Sequence, residues 1–178
     1  MVKKIIVLLI VLIPLSWGGL AVYIMSHEGL EDLILCDSQD NIIPIPKFMC
    51  DGYLMHFRGS AAEIRRMENL MGPPLDIDDE KQLFKYLDFL ISKGYDLNKV
   101  SQLTGFTPLH TAILQLKPDV VSYLLAHGAN PNIASGDQAG QGTLSHLTAI
   151  QLAQHLQQIN RSPELPKIVQ LLSVSPAI

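Results

Sequence analysis

Residues 105–132 read GFTPLHTAILQLKPDVVSYLLAHGANPN, and this stretch determines the fold. Thr107 is placed to cap a helix that begins at Pro108, where the missing N–H of proline costs nothing. Apolar residues recur at helical spacing after Pro108 and again between residues 120 and 125. Gly128 suits the left-handed conformation that commonly ends a helix. The stretch therefore predicts two short antiparallel helices followed by a projecting turn.

This stretch resembles the ankyrin repeat, whose pattern is G-x-T-P-L-H-x-A, then V-x-x-L-L, then G-A-x-x-N. The residues that match in register are Gly105, Thr107, Pro108, Leu109, His110, Ala112, Val121, Leu124, Leu125, Gly128, Ala129 and Asn132. The sequence departs from the pattern at Leu116-Lys117, where the turn between the helices usually has Gly. The resemblance implies that His110 is structural and that its ring bonds between neighbouring first-helix starts.

Weaker copies of the pattern flank the best one. Residues 87–98 repeat the second helix and its exit, residues 148–172 repeat both helices, and a worn first unit is predicted from Tyr53 to Met67. Isolated repeats cannot bury their apolar faces, so about three or more units must stack. We therefore predict an all-α ankyrin-repeat solenoid of about three to four units over residues 48–174, with the outer units degenerate.

The N-terminal segment is apolar. Residues 5–25 carry no charged side chain and follow Lys3 and Lys4. An apolar helix of about 20 residues crosses the hydrocarbon core of a bilayer, and the lysines favour a cytoplasmic start. Gly19-Leu20-Ala21 also offers small residues to a signal peptidase. Residues 1–25 are thus predicted to be a signal anchor or a cleaved signal peptide. We favour the anchor, in a bacterial inner membrane with the remainder in the periplasm.

The sequence has two cysteines, Cys36 and Cys50. In an exported small domain such a pair usually forms a disulfide, and closing a loop of about 15 residues stabilises by roughly 3 kcal/mol. Two free buried thiols are the alternative for a cytosolic body. Residues 26–47 are predicted to be a linker or N-terminal cap segment, and residues 175–178 a tail.

Charge and motifs exclude several function classes. The chain carries 17 acidic and 13 basic residues, a net charge of −4, and so lacks the basic footprint of a nucleic-acid-binding protein. The histidines do not cluster with other metal-binding side chains in sequence, and two cysteines cannot form a Cys-only zinc site. Nucleophile elbows, phosphate loops and dinucleotide fingerprints do not occur. We therefore predict no enzyme activity, cofactor, metal or nucleic-acid partner.

The candidate binding residues lie in two places. In the ankyrin arrangement the projecting turns and first helices line a concave surface whose variable positions contact partners. The insertion at residues 134–142, ASGDQAGQG, is rich in Gly and small polar residues and is predicted to be a mobile, exposed loop. The predicted partner-binding residues are Leu103, Thr104, Phe106, Leu114 and Gln115 in the best unit, and Ser135, Asp137, Gln138 and Gln141 in the insertion.

A small acidic ankyrin domain behind an export signal resembles bacterial immunity proteins that neutralise toxins delivered to the periplasm. Some of these proteins act against phospholipase-type effectors of type VI secretion systems. The resemblance implies a membrane-held protein whose concave surface blocks the active-site entrance of a toxic effector. The alternative is an envelope scaffold or chaperone for an exported enzyme of the same cell. Fold alone does not choose between these partners.

Overall fold

The chain forms two compact units, Met1–Gly59 and Ser60–Ile178. The structure, a computed structural model, describes residues 17–34, 36, 45–70, 72, 73, 75, 77 and 79–174. Every regular element within these residues is a helix, which confirms the all-α prediction for the described part of the chain. The boundary between the units follows Gly59, whereas the sequence had placed the start of the repeat domain at residue 48, inside a helix.

The first unit contains three helices in its described residues. They are α1 (residues 17–27), α2 (Leu30–Ile34) and α3 (Lys47–Phe57). The guanidinium of Arg58 donates to the carbonyl oxygens of Met25 at 2.7 Å and Glu28 at 2.8 Å, where carbonyls at the end of a helix lack helical partners. Cys36 and Cys50 form a disulfide with their Cα atoms 6.3 Å apart. This bond joins the segment after α2 to α3.

Much of the predicted leader lies outside the described residues. Of the apolar run, residues 5–16 are not described, and residues 17–25 belong to α1. The described part of the chain contains no helix with both the length and the apolar character needed to cross a membrane. The signal anchor and the signal peptide therefore stay predictions, as does the tail at residues 175–178.

The second unit is a stack of helix pairs. Its elements are α4 (Ala61–Asn69), α5 (Glu80–Ser92), α6 (Pro108–Leu114), α7 (Pro118–Ala126), a short 3₁₀ turn (Ala139–Gly142), α8 (Ala149–Ile159) and α9 (Glu164–Val174). Helix α6 packs against α7 and α8, and α9 packs against α7 and α8. The fully buried side chains in these helices include Leu109, Ile113, Leu124 and Leu152, so the apolar stripes of successive pairs form a continuous core.

Each first helix of the stack begins at a capping hydroxyl. Ser60, Thr107 and Thr148 precede α4, α6 and α8, and each side chain accepts a hydrogen bond from a backbone N–H in the first turn. Such a cap satisfies a donor that the helix itself leaves unpaired. The helix pairs end at glycines with positive φ, namely Gly94 at +86° and Gly128 at +93°. The predicted signals for helix starts and exits are thus confirmed.

The first repeat unit predicted from Tyr53 to Met67 is divided between the two compact units. The sequence joined the apolar stripe that begins at Tyr53 to Met67 in one unit, but α3 belongs to the first compact unit and α4 to the second. Helix α4 precedes α5, and the carboxylate of Glu68 in α4 accepts from the backbone N–H of Asp96, just beyond α5, at 2.7 Å. Gly72 lies in the connection between α4 and α5.

The departure from the repeat pattern at Leu116-Lys117 also has a structural explanation. Leu116 adopts a φ of +57°, so a leucine takes the left-handed conformation that glycine usually supplies. The ammonium of Lys117 donates to the carbonyl oxygens of Leu75 at 2.5 Å and Ile77 at 3.3 Å. The turn between α6 and α7 is thereby hydrogen-bonded to the segment that precedes α5.

Candidate protein-binding surface

Side-chain amides and hydroxyls hold the projecting turns in a row. The side chain of Asn98 accepts from the backbone N–H of Asn130 at 2.7 Å and donates to the carbonyl oxygen of Gly128 at 3.2 Å. One turn earlier, the N–H of Gln102 donates to the carbonyl oxygen of Asn69 at 2.9 Å. Because each turn is bonded to its neighbour, the side chains at their tips project from a fixed backbone.

His110 has the structural position that the resemblance implies. Its ring is buried, with Nε2 2.9 Å from the carbonyl oxygen of Leu147 and Nδ1 2.7 Å from Oγ1 of Thr107. A carbonyl only accepts, so Nε2 carries the proton and Nδ1 accepts from the hydroxyl. Burial lowers the pKa of His110, and the hydrogen bond to Leu147 opposes that shift. The neutral ring therefore bridges the starts of α6 and α8.

The predicted contact residues of the best unit differ in exposure. Leu103 is 59% exposed, which makes it the most accessible apolar side chain among them, and Gln115 is exposed at the end of α6. Thr104 and Leu114 are half-buried. Phe106 is half-buried as well, and its ring lies 6.1 Å from the ring of His110, centroid to centroid. Leu103, not Phe106, is thus the stronger candidate for an apolar anchor.

Hydrogen bonds of Ser135 close the base of the insertion. Ser135 is only 3% exposed. Its N–H donates to the carbonyl oxygen of Leu147 at 2.9 Å, while its hydroxyl donates to Leu144 at 2.5 Å and accepts from the N–H of Leu147 at 3.0 Å. The predicted partner contact of Ser135 stays a prediction that this arrangement disfavours, because the polar groups of Ser135 are engaged in closing the loop.

The insertion also docks against the preceding turn. The N–H of Gly136 donates to the carbonyl oxygen of Gly105 at 2.7 Å, and Ala139 is fully buried. A Cβ on Gly105 would lie 2.4 Å from the backbone nitrogen of Ala139, so only glycine permits this approach. The predicted mobile loop is thus a folded extension of the turn.

The exposed surface of the insertion is polar. Asp137, Gln138 and Gln141 are exposed as predicted, and the carboxylate of Asp137 lies 3.1 Å from Nε2 of His146. Gln141 and His146 have φ values of +56° and +59°. Non-glycine residues in this conformation are strained and cluster at functional sites, which supports the insertion as part of a contact surface.

One group of exposed residues was missed by the sequence analysis. Arg65 and Arg66 are exposed on α4, and Leu70 is 42% exposed at its end. The sequence analysis placed α4 in the degenerate first unit and considered no contact role for these residues. The sequence does mark the start of α4, because Ser60 and Glu63 have the spacing of a capping box, and the structure contains that capping box.

Comparison with known proteins supports a repeat in this unit. Residues 104–136 match the family described as Ankyrin repeat. The 2-5A-dependent ribonuclease of Mus musculus is 44% identical over 43 residues, which cover 24% of this chain and 6% of that protein. No solved structure matches the chain. Ankyrin repeats are typically non-catalytic interaction modules, and the matches therefore support protein binding by this part of the chain.

Proposed function

We propose that the second compact unit binds another protein through its projecting turns, its first helices and the docked insertion. The observation that carries this proposal is that the projecting turns combine a fixed backbone with exposed side chains. The backbone of these turns is fixed by hydrogen bonds between neighbours, whereas Leu103, Gln138 and Gln141 remain exposed on it. Gln115 is exposed at the end of the first helix α6. A surface that is ordered before binding loses less conformational entropy when a partner arrives.

The finer proposal is that the partner is a toxic effector and that binding covers its active-site entrance. It is supported by the uncharged run at residues 5–25 behind Lys3 and Lys4, since such a leader favours export. The disulfide between Cys36 and Cys50 is of the kind that persists in oxidising compartments. We therefore propose an immunity protein on the outer side of a bacterial inner membrane. An envelope scaffold for a resident exported enzyme would use the same surface.

Affinity capture with chemical crosslinking tests the proposed function. The full chain should retain a specific partner, and Leu103→Ser combined with Gln115→Ala should weaken that interaction by about tenfold or more, since interface anchors carry most of the binding energy. Gln170→Ala on α9 is the matched control, because Gln170 is exposed on a second helix. Equal binding by both folded variants would refute the assignment of this surface.

The identity of the captured partner separates the two roles. A hydrolase that kills cells lacking this protein supports immunity, whereas a resident enzyme whose yield depends on the protein supports a scaffold. A reporter that is active only in the periplasm, fused after Ile178, tests the proposed location. A signal from a second reporter that works only in the cytoplasm, fused at the same place, would refute export. The intact mass of the purified protein distinguishes an anchor from a cleaved signal peptide.

A further inference from the structure

A basic and apolar patch lies where the end of α4 meets the next projecting turn. We define the α4 patch as Arg65, Arg66, Leu70 and Leu103. Arg66 and Leu70 lie one helical turn apart in sequence, so they share a side of α4. Arg65 is the exposed residue before Arg66 and lies about 100° further round the helix, at the flank of the patch. Leu70 and Leu103 are 42% and 59% exposed, and two exposed leucines beside arginines are more typical of an interface than of a solvated surface.

Backbone hydrogen bonds hold the two halves of this patch together. The N–H of Gln102 donates to the carbonyl oxygen of Asn69 at 2.9 Å, and the hydroxyl of Ser101 donates to the carbonyl oxygen of Leu70. These bonds join the residues that directly precede Leu103 to the last residues of α4. The patch is therefore part of the same fixed row of turns and does not depend on a flexible segment.

Among the described residues, the arginines of the patch have no acidic partner. Both arginines are exposed, and within the described part of the chain no carboxylate pairs with either guanidinium. The two acids of α4 are already engaged. Glu63 accepts from the N–H and the hydroxyl of Ser60 at 2.8 Å, and Glu68 is buried, with its carboxylate on the N–H of Asp96.

We propose that the α4 patch binds an acidic segment of the protein partner, with carboxylates on the two arginines and a leucine-sized side chain against Leu70 and Leu103. This inference rests on the proposed function and specifies the chemistry of the partner. Guanidinium groups bind carboxylates in paired hydrogen bonds. The net charge of the chain is −4, so an acidic partner is repelled by most of the protein and directed to this basic patch.

The adjacent leucines distinguish a peptide from a nucleic acid. A phosphate backbone would bind the arginines but would leave Leu70 and Leu103 in water, whereas an acidic peptide with an apolar side chain covers both features. Ionic interaction at exposed arginines weakens as salt rises. Binding should therefore weaken as the salt concentration rises, and it should also require Leu70 and Leu103.

Selection from random peptides displayed on phage tests this proposal with the full chain as target. The selected sequences should contain an excess of Asp and Glu together with Leu, Phe or Trp. Arg65→Gln with Arg66→Gln should weaken the selected peptides by about tenfold or more, and Leu103→Ser should weaken them too. Lys81→Gln with Lys93→Gln is the matched control, because it removes the same charge from two exposed positions, one at the start of α5 and one just after its end, and should change little.

Four results would overturn the inference. The first is a selection that yields basic or uncharged peptides, or none above background. The second is acidic peptides that lose affinity equally in the arginine variant and in the lysine control, which would indicate net charge alone. The third is a single-stranded oligonucleotide that binds the patch as tightly as the peptides. A partner that is lost on Gln115→Ala but not on the arginine changes would overturn the α4 patch and leave the proposed function standing.

Discussion

Replacing Gly105 with alanine tests whether the insertion is docked or free. Gly105 has a φ of +73°, and an added Cβ would lie 2.4 Å from the nitrogen and 2.9 Å from the Cα of Ala139. Both atoms belong to the backbone, so no change of side-chain rotamer relieves the clash. The substitution should therefore push the segment around Ala139 away and break the 2.7 Å hydrogen bond from Gly136 to Gly105.

Gly128→Ala is the matched control for this experiment. Gly128 has a φ of +93°, but a Cβ there would meet nothing within 4 Å. Both substitutions place alanine in a left-handed conformation, which costs about 1–2 kcal/mol. Gly105→Ala should lose a further amount of about 1 kcal/mol from the hydrogen bond and about 1 kcal/mol from exposing Ala139. We expect total losses of about 1–2 kcal/mol for Gly128→Ala and about 3–4 kcal/mol for Gly105→Ala.

Urea unfolding followed by circular dichroism measures the two losses, and amide hydrogen exchange locates them. In Gly105→Ala the amides of residues 136–147 should lose protection while those of α6 keep it. In Gly128→Ala the insertion should keep its protection. Equal losses of stability in the two variants, with unchanged exchange in the insertion, would refute the docked arrangement and restore the mobile loop predicted from composition.

Three further predictions concern stability. Leu124→Ala should lower the free energy of unfolding by about 2–5 kcal/mol because it opens a cavity in the core, whereas Leu103→Ala should change it by less than about 0.5 kcal/mol; urea unfolding measures both. Burial lowers the pKa of His110, so the unfolded chain binds the proton first as the pH falls below about 6.5. The free energy of unfolding should therefore fall as the pH is lowered through this range, and it should fall less steeply in His110→Gln than in the unchanged protein. Urea unfolding at several pH values measures both slopes. Replacing Cys36 and Cys50 with Ser should cost about 2–4 kcal/mol in thermal unfolding.

The sequence identified those features of the fold that depend on local chemistry. A hydroxyl before proline, as at Thr107, and a glycine after an apolar helix, as at Gly128, act within one turn of the chain, and both are visible without knowledge of distant contacts. The structural role of His110 was also predictable from the sequence, because the resemblance to the ankyrin repeat implies that its ring lies between the starts of neighbouring first helices. The all-α class and the best repeat follow from these local signals.

The assignment of α3 and α4 could not be made locally. The apolar stripe that begins at Tyr53 and the pair Ile64 and Met67 have the same helical spacing, and Gly59 is an ordinary turn residue. Which of the two helices joins the stack is decided by contacts distant in sequence, such as the carboxylate of Glu68 on the N–H of Asp96. The arginines of α4 were missed for the same reason, because the sequence joined their helix to the apolar stripe that begins at Tyr53.

The insertion shows why composition alone does not predict a contact surface. Glycine occurs both where the backbone must move and where it must approach another backbone closely, and these two uses look the same in a sequence. At Gly105 the second use applies, since Ala139 occupies the space of a Cβ. Docking buries Ser135 and holds Gln138 and Gln141 exposed on the projecting turn that follows the turn of Leu103. The insertion therefore extends one ordered surface and does not form a flexible arm.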